Sequence, residues 1–366
     1  MNSRDGFQAK SAAILWTAAL GLAFGLLAAG DSFVFSGHSQ LPMLSSPSIE
    51  SRRQSRRQSR HGLGLPRTLL FSKPSGRMTG LTDELDHLDQ LDLFDDAQWS
   101  EAPQSWPATL ARLFVDLGPH DAATDFVLNA PMASSPQALI YQALCELPLN
   151  EFDLQALLYP AGSHLLTTEQ LQKLLARTGP ASKLRVLDVG AGDGCITQNI
   201  CALGCRLVAS ETSMGMAMRL RMGGYEVWCE DIAVTANERV KSGESFSLVS
   251  VLNVLDRCAS PQRLCTAVHK LVSDEGYLLL ATPLPFVASY YGKETKWNGE
   301  PMEKILLSET QTWEEDAKVL LQDFLPNCGF QPVAVSRLPY LSGGDEEDGG
   351  CIELDDIVVL ARKVDL

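Results

Sequence analysis

The sequence predicts an α/β fold, a doubly wound and mostly parallel sheet of seven strands with an added helical region ahead of it. Three observations carry this. Residues 184–194, LRVLDVGAGDG, run from a β-rich stretch straight into a glycine turn, and residues 195–202 then have helical character. Further β-type runs follow in order at 205–211 (CRLVASE), 227–232 (VWCEDI), 246–252, 277–282, 331–337 and 357–362. Helical patterning separates the later runs, at 261–272 and 312–325. Such alternation covers both faces of a parallel sheet, and ligands of these sheets sit beyond the carboxyl ends of the strands.

The glycine turn is the first candidate site. Glycines let a backbone turn sharply and meet a ligand with no side chain in the way. The loop reads G-x-G-x-G through Gly190, Gly192 and Gly194, with the third glycine one position earlier than in the dinucleotide fingerprint. Asp188 and Asp193 flank it. Two acids repel a pyrophosphate and welcome a cationic sulfonium and ammonium, so the pattern points to S-adenosylmethionine rather than NAD. Glu211 ends the second strand, placed to accept both ribose hydroxyls. Glu230 and Asp231 end the third, where Asp231 would meet the adenine edge. A structural turn with incidental acids is the plainer alternative.

The fourth strand ends in SVLNVLDRC, residues 250–258, an apolar run that breaks into Asn253, Asp256, Arg257 and Cys258. Its polar half belongs beside the methyl group of the cofactor, with Asn253 touching the cofactor or the acceptor. Plainer roles stay open: Asp256 as a helix cap or partner of Arg257, and Asn253 as a turn residue.

Several motifs together resemble the DREV methyltransferases: LDVGAGDG, LNVLDRC, PLPF, the W-x-x-x-P-x-E-x-L segment at 297–306, TWEE, and RLPYLSGGD with LDD behind it. The resemblance covers about residues 152–366. It implies a Rossmann-like class I methyltransferase sheet and N-pros methylation of histidine in proteins. Two departures stand out: Ala161 precedes Gly162 and Ser163 where the family carries Arg, and the tail DEEDGG is more acidic and less aromatic. Both bear on substrate preference.

The implied chemistry is consistent. A neutral imidazole nitrogen has a lone pair for in-line attack on a sulfonium methyl, so the task is to select one nitrogen. A carboxylate accepting the Nε2–H holds the tautomer with a free Nδ1 and stabilises the forming imidazolium. Asp256 is the candidate for that role, Asn253 for orienting the ring or the cofactor, and Tyr340 of RLPYL for closing the pocket. Tyr340 also reads as ordinary core. Alternative functions are methylation of a small molecule or another protein side chain, or a tethered binding protein without turnover. The absence of an N-P-P-Y or D-P-P-Y run at the fourth strand weighs against base or glutamine-amide methylation.

The rest of the chain bounds the setting. Residues 11–30 form an uncharged run of twenty, long enough to cross a bilayer core and rich enough in small residues for a signal peptide. The expectation is an endoplasmic reticulum or other endomembrane location, with a mitochondrion or plastid as alternative. Residues 31–80 read as a Ser/Arg-rich linker, 81–150 as a helical region with an amphipathic start at Leu81, Leu85, Leu88 and Leu91, and 151–366 as the catalytic domain. Helical patterning is expected at 110–117 and 138–147. Residues 1–80 hold ten Lys/Arg against three Asp/Glu, while the remainder holds twenty against forty-two, a balance of −22. Such a body repels nucleic acid, so the expected partners are His-containing proteins or peptides. The nine cysteines are odd in number and lack a C-x-x-C pair, and no Cys/His cluster suggests a metal.

Overall fold

The computed structural model describes residues 67–68, 94, 97–129, 135–145, 150–160, 162–176, 178, 183–288, 311–343 and 351–365. All lie in one unit, Pro47–Leu366. The run at 11–30, nearly all of the linker, the expected helix at 81–91, the segment 297–306 and the acidic tail at 345–350 fall outside the described residues.

One sheet organises the described residues. Its strands are β1 (Arg67–Thr68), β2 (Ser163–His164), β3 (Arg185–Val189), β4 (Arg206–Ser210), β5 (Glu226–Trp228), β6 (Phe246–Leu252), β7 (Val272–Pro283), β8 (Phe330–Gly343) and β9 (Cys351–Lys363). They lie in the order β2-β8-β9-β7-β6-β3-β4-β5, with β1 beside β9. All seven expected strands are present, and β1 and β2 are two-residue additions. The pairs β4–β5, β3–β4, β3–β6 and β6–β7 are parallel. Strand β9 runs against both β7 and β8, so β8 keeps the common direction. The chain winds outward from β3 to β5 and then crosses back to β6 on the other side of β3. That reversal opens a crevice at the carboxyl ends of β3 and β6, the switch point where such folds bind ligands.

Eleven helical segments matter to the packing: α1 (Ala97–Ser100), α2 (Ala108–Ala111), α3 (Asp121–Asn129), α4 (Ser135–Cys145), α5 (Glu151–Leu158), α6 (Thr168–Leu175), α7 (Cys195–Cys201), α8 (Met214–Met222), α9 (Ile232–Lys241), α10 (Pro261–Leu271) and α11 (Trp313–Val319). Alternate strand residues serve opposite faces. Val186, Leu248, Leu279 and Leu360 join one core with Leu171, Leu174 and Leu175 of α6 and Ile200 of α7. Their chain neighbours Leu187, Val249, Leu280 and Val359 join the other with Ile232 and Ala236 of α9 and Leu264 and Val268 of α10. A period of two in the strands and of three to four in the helices produces this three-layer arrangement. Helix α6 begins in a capping box, with Thr167 and Gln170 exchanging side-chain and backbone bonds.

The region ahead of β3 is built into the same unit. Trp106 and Leu110 belong to the α9–α10 core, and Trp106 stacks on Trp313 of α11 at 5.9 Å. The expected helix at 110–117 ends early, since α2 stops at Ala111. Residues 113–115 instead pair with β8: Val115 N–H donates to Val335 O at 2.7 Å, and Val335 N–H donates to Leu113 O at 2.8 Å. The exposed edge of β8 needs partners for its backbone groups, and that demand overrides local helical pattern. The expectation at 138–147 agrees with α4. Asp153 of α5 stitches this region to the cofactor side, accepting from Ser213 Oγ at 2.6 Å and Gly215 N–H at 2.8 Å at the start of α8.

Candidate active site

The glycine loop leaves β3 with three left-handed residues, Gly190 (φ 68°), Gly192 (φ 55°) and Gly194 (φ 86°). Gly190 and Ala191 both donate to Ser210 O, at 2.8 and 3.1 Å, so the loop folds across the end of β4. A Cβ at Gly192 would meet nothing nearer than Gly190 O at 4.0 Å, leaving the loop backbone open to a ligand. A Cβ at Gly190 would fall 2.4 Å from Val254 Cγ2, so the loop lies directly against the turn that follows β6.

Glu211 stands at the end of β4 and spans the crevice. Its Oε2 accepts from Gly192 N–H at 2.9 Å, and its Oε1 accepts from the backbone of Thr212 at 2.7 Å and Ser213 at 2.9 Å. With Oε1 engaged by the turn, Oε2 is the oxygen with lone-pair capacity left for a ribose hydroxyl. An open glycine loop with a preset acid across it fits S-adenosylmethionine.

Asp188 and Asp193 hold the loop's frame. Asp188 is buried and accepts from Thr197 Oγ1 and Ser250 Oγ, each at 2.7 Å. Burial pushes its carboxyl up to about 6, against the opposing effect of those two hydroxyls. A raised acid binds more protons in the folded chain than in the unfolded one, so its contribution to stability falls as pH climbs from about 4 to about 6. Asp188→Asn is expected to remove that decline: its melting temperature relative to the parent rises across this window, as thermal unfolding at several pH values would show. Asp193 accepts from Gly162 N–H at 2.9 Å, Ser163 Oγ at 3.2 Å and Cys195 N–H at 2.9 Å. It ties the loop to β2. Asp231 is exposed and caps α9, its Oδ1 accepting from Ala233 N–H at 2.8 Å. Glu230 is taken by Arg239, with bonds of 2.7 and 2.6 Å.

The end of β6 gathers the second set. Asn253 has φ 56°, a left-handed conformation that asparagine tolerates better than most residues, and its N–H donates to Ala281 O of β7 at 2.9 Å. Asp256 follows in a single 3₁₀ turn, Leu255–Arg257, and is buried with Arg257 Nε 3.3 Å from its Oδ2. Burial raises the Asp256 carboxyl, and Arg257 opposes the rise. Tyr340 lies within β8, not after it, and belongs to the core beneath the sheet. The Arg257 guanidinium stands 5.9 Å from its ring centre. Asn253, Asp256 and Tyr340 are thus brought to one place.

One neighbour escaped the sequence reading. Asp356 of β9 pairs in register with Pro283 of β7 and Leu338 of β8, and is fully buried. Burial first, and Asp256 second, hold its carboxyl well above the usual range, while Asn253 and Arg257 oppose this. Asn253 faces it without a hydrogen bond of full geometry. Among the described residues, both carboxyl oxygens of Asp356, both amide atoms of Asn253 and Oδ1 of Asp256 are buried and unpartnered. The LDD run carried only a family likeness, with no spacing to mark Asp356.

The remaining motifs support this floor. Arg337 of RLPYL bonds Asp355 through Nε at 2.9 Å and lies over the Trp313 ring of TWEE at 4.3 Å. Asp316 accepts from Phe286 N–H of PLPF at 2.7 Å. No helix of the described residues is long and apolar enough to cross a membrane. No cluster of metal ligands occurs among them.

A family model described as DREV methyltransferase matches residues 99–363, reaching some fifty residues further forward than the motif resemblance. Among curated proteins, a ubiquinone biosynthesis O-methyltransferase of Rhizobium etli is 32% identical over 107 residues, 28% of this chain and 42% of that protein. One from Xanthomonas axonopodis pv. citri is 26% identical over 185 residues, 48% of this chain and 74% of that protein. The chain therefore spans 42% of the length of the first curated relative. Among solved structures, the 1,6-didemethyltoxoflavin-N1-methyltransferase of Burkholderia thailandensis, 18% identical, has a TM-score of 0.37 over 74% of this chain and 98% of that one.

Proposed function

We propose that this chain, which belongs to the DREV methyltransferase family, transfers the methyl group of S-adenosylmethionine, its cofactor, to the N-pros nitrogen of histidine in protein substrates. The observation that carries the reading is the end of β6. Asn253 and Asp256 stand buried with unpartnered polar atoms, and Val254 between them touches the glycine loop. An acceptor ring bound there would lie against the glycine loop that would hold the cofactor.

When bound, S-adenosylmethionine supplies an electrophilic methyl on a sulfonium. The chain's residues then have three tasks. Glu211 and the loop backbone fix the cofactor through its ribose and its approach to Gly192. Asp256 accepts the imidazole Nε2–H, leaving the Nδ1 lone pair directed at the methyl and compensating the charge that develops on the ring. Asn253 orients the ring, and Tyr340 with Arg257 bounds the pocket. Asp231 would hold the adenine edge.

The two curated relatives named above favour a small-molecule acceptor by name, but each of the two matches less than half of this chain, whereas the family match extends over 99–363. The separating experiment uses labelled S-adenosylmethionine and a peptide bearing alternating histidines, followed by amino-acid analysis of the product. N-pros-methylhistidine is the expected result. Label on lysine or arginine, transfer only to a phenol, or no transfer despite cofactor binding would overturn the reading.

His-containing proteins of an endomembrane compartment are the proposed partners, with residues 11–30 as the segment that takes the chain there, retained or cleaved. The twenty uncharged residues support this, and the acidic balance of −22 over residues 81–366 supports a protein partner rather than nucleic acid.

A further inference from the structure

The geometry points to Asp356 as a positioning residue of the acceptor pocket, sharing one proton with Asp256 so that the two carboxyl groups present a single negative charge to the acceptor ring. The inference rests on the histidine reading of that pocket.

The first argument is a shortage of donors. The five unpartnered atoms are one donor, Asn253 Nδ2, and four acceptors: Asn253 Oδ1, Asp256 Oδ1 and both oxygens of Asp356. Buried acceptors left without donors are costly, so the site requires added protons. One on Asp356 converts an acceptor to a donor, available to the neighbouring Asp256 carboxylate. The imidazole Nε2–H supplies another.

The second argument is contrast within the same chain. Buried carboxyls with a structural task show their partners: Asp188 has Thr197 and Ser250, and Asp316 has the Phe286 amide. Asp356 is fully buried and makes no hydrogen bond of full geometry among the described residues, although the Asn253 amide faces it. It also lies opposite Pro283, which has no N–H to give it.

The third argument is charge. The ionisable groups facing Asp356 are Asp256 and Arg257 on the 3₁₀ turn, Asp355 on its own strand and Tyr340 on β8. Arg257 sits on Asp256 Oδ2, and Asp355 is engaged by Arg337. Among the described residues the cation that acts on Asp356 is Arg257, already engaged by Asp256 Oδ2, and two like charges sharing one cation in a buried site do not both ionise. The arrangement also serves the reaction. One negative charge orients a neutral imidazole with its Nδ1 lone pair free, while a second would favour the imidazolium, which has no lone pair to attack with. After transfer, the Nε2 proton passes to the pair and then to water as the product leaves.

The test compares Asp356→Asn, which keeps a donor at this position, with Asp356→Leu, which removes it. Cofactor affinity is measured by calorimetry and the carboxylic C=O stretch by infrared spectroscopy at pH 8, where Asp188 is ionised. Asp356→Leu should lose about 10²-fold in kcat, the effect of a misplaced reacting group, with cofactor Kd unchanged. Asp356→Asn should stay within about tenfold of the parent, below the range for losing a general acid–base group, and lose the carboxylic acid band. Equal loss in both variants would assign Asp356 an anionic role and overturn the shared proton. Full activity of Asp356→Leu would overturn the positioning role. Absence of the band in the parent overturns the shared proton whatever the substrate proves to be, so a failure of the histidine reading is distinguishable. Should neither variant fold, the band must shift in Asp256→Asn, and an unmoved band overturns the pair.

Discussion

Asp256→Asn should lower methyl transfer to histidine by about 10²–10⁴-fold in kcat, the range for losing a positioned acid–base group, while cofactor affinity stays unchanged. The amide is nearly the same shape, so the 3₁₀ turn at Leu255–Arg257 survives. What is lost is charge and direction. An amide oxygen still accepts a hydrogen bond but stabilises the forming imidazolium less than a carboxylate does. Its NH₂ group also donates to a ring nitrogen, which favours the opposite tautomer. The residual product should therefore contain tele-methylhistidine beside the pros isomer, read by amino-acid analysis. The variant should also be more stable than the parent at neutral pH. The Asp256 carboxyl is raised by burial, so the folded parent loses stability as pH rises from the ordinary carboxylate range. Higher melting temperature with lower activity is the signature of a group kept for function. Full activity with unchanged nitrogen selectivity would remove Asp256 from the mechanism.

Much of this was written in local pattern. The β-rich runs and the glycine turn give β3 to β9 in order, because apolar alternation and turn chemistry are properties of neighbouring residues. The end of β6 was legible for the same reason: an apolar run that breaks into Asn253 and Asp256 at a strand terminus leaves few places for those groups to go. What was not legible depends on partners far along the chain. Asp188 reads as a ligand-facing acid until Ser250, 62 residues on, is seen to bond it. Glu211 reads as a purely ligand-facing acid, with no sign that the backbone of Gly192 and of its own turn also bonds it. Residues 113–115 read as helix until β8, more than two hundred residues later, presents an open edge to them. Asp356 comes beside Asn253 and Asp256 only because β9 inserts antiparallel between β7 and β8, bringing its leading half to the carboxyl end of β7. No periodicity announces that insertion.

The same long-range logic governs Gly190→Ala, which should damage both folding and cofactor binding. At φ 68° an alanine carries a left-handed cost of roughly 1–2 kcal/mol. Its methyl would also lie 2.4 Å from Val254 Cγ2 and 3.4 Å from Cγ1, so both branches of the valine obstruct it. Valine is stiff at χ1 and cannot swing both methyls clear. Overpacking of this kind adds about 1–3 kcal/mol. At about 2–4 °C per kcal/mol for a domain of this size, the melting temperature should fall by roughly 4–20 °C. Relief by backbone movement displaces either the loop from Glu211 or the turn that carries Asp256, so cofactor Kd should rise about tenfold or more, the consequence of a shift near 1.4 kcal/mol. Gly192→Ala separates the two causes. Its φ of 55° carries a similar backbone cost, but its methyl meets nothing within 4.0 Å, so its stability loss should be the smaller. The double change Gly190→Ala with Val254→Ala should recover part of the lost melting temperature, since it removes the obstructing methyls and leaves only the backbone strain. No recovery would place the damage in φ alone and dissolve the proposed mechanical link between the cofactor loop and the residues that hold the acceptor.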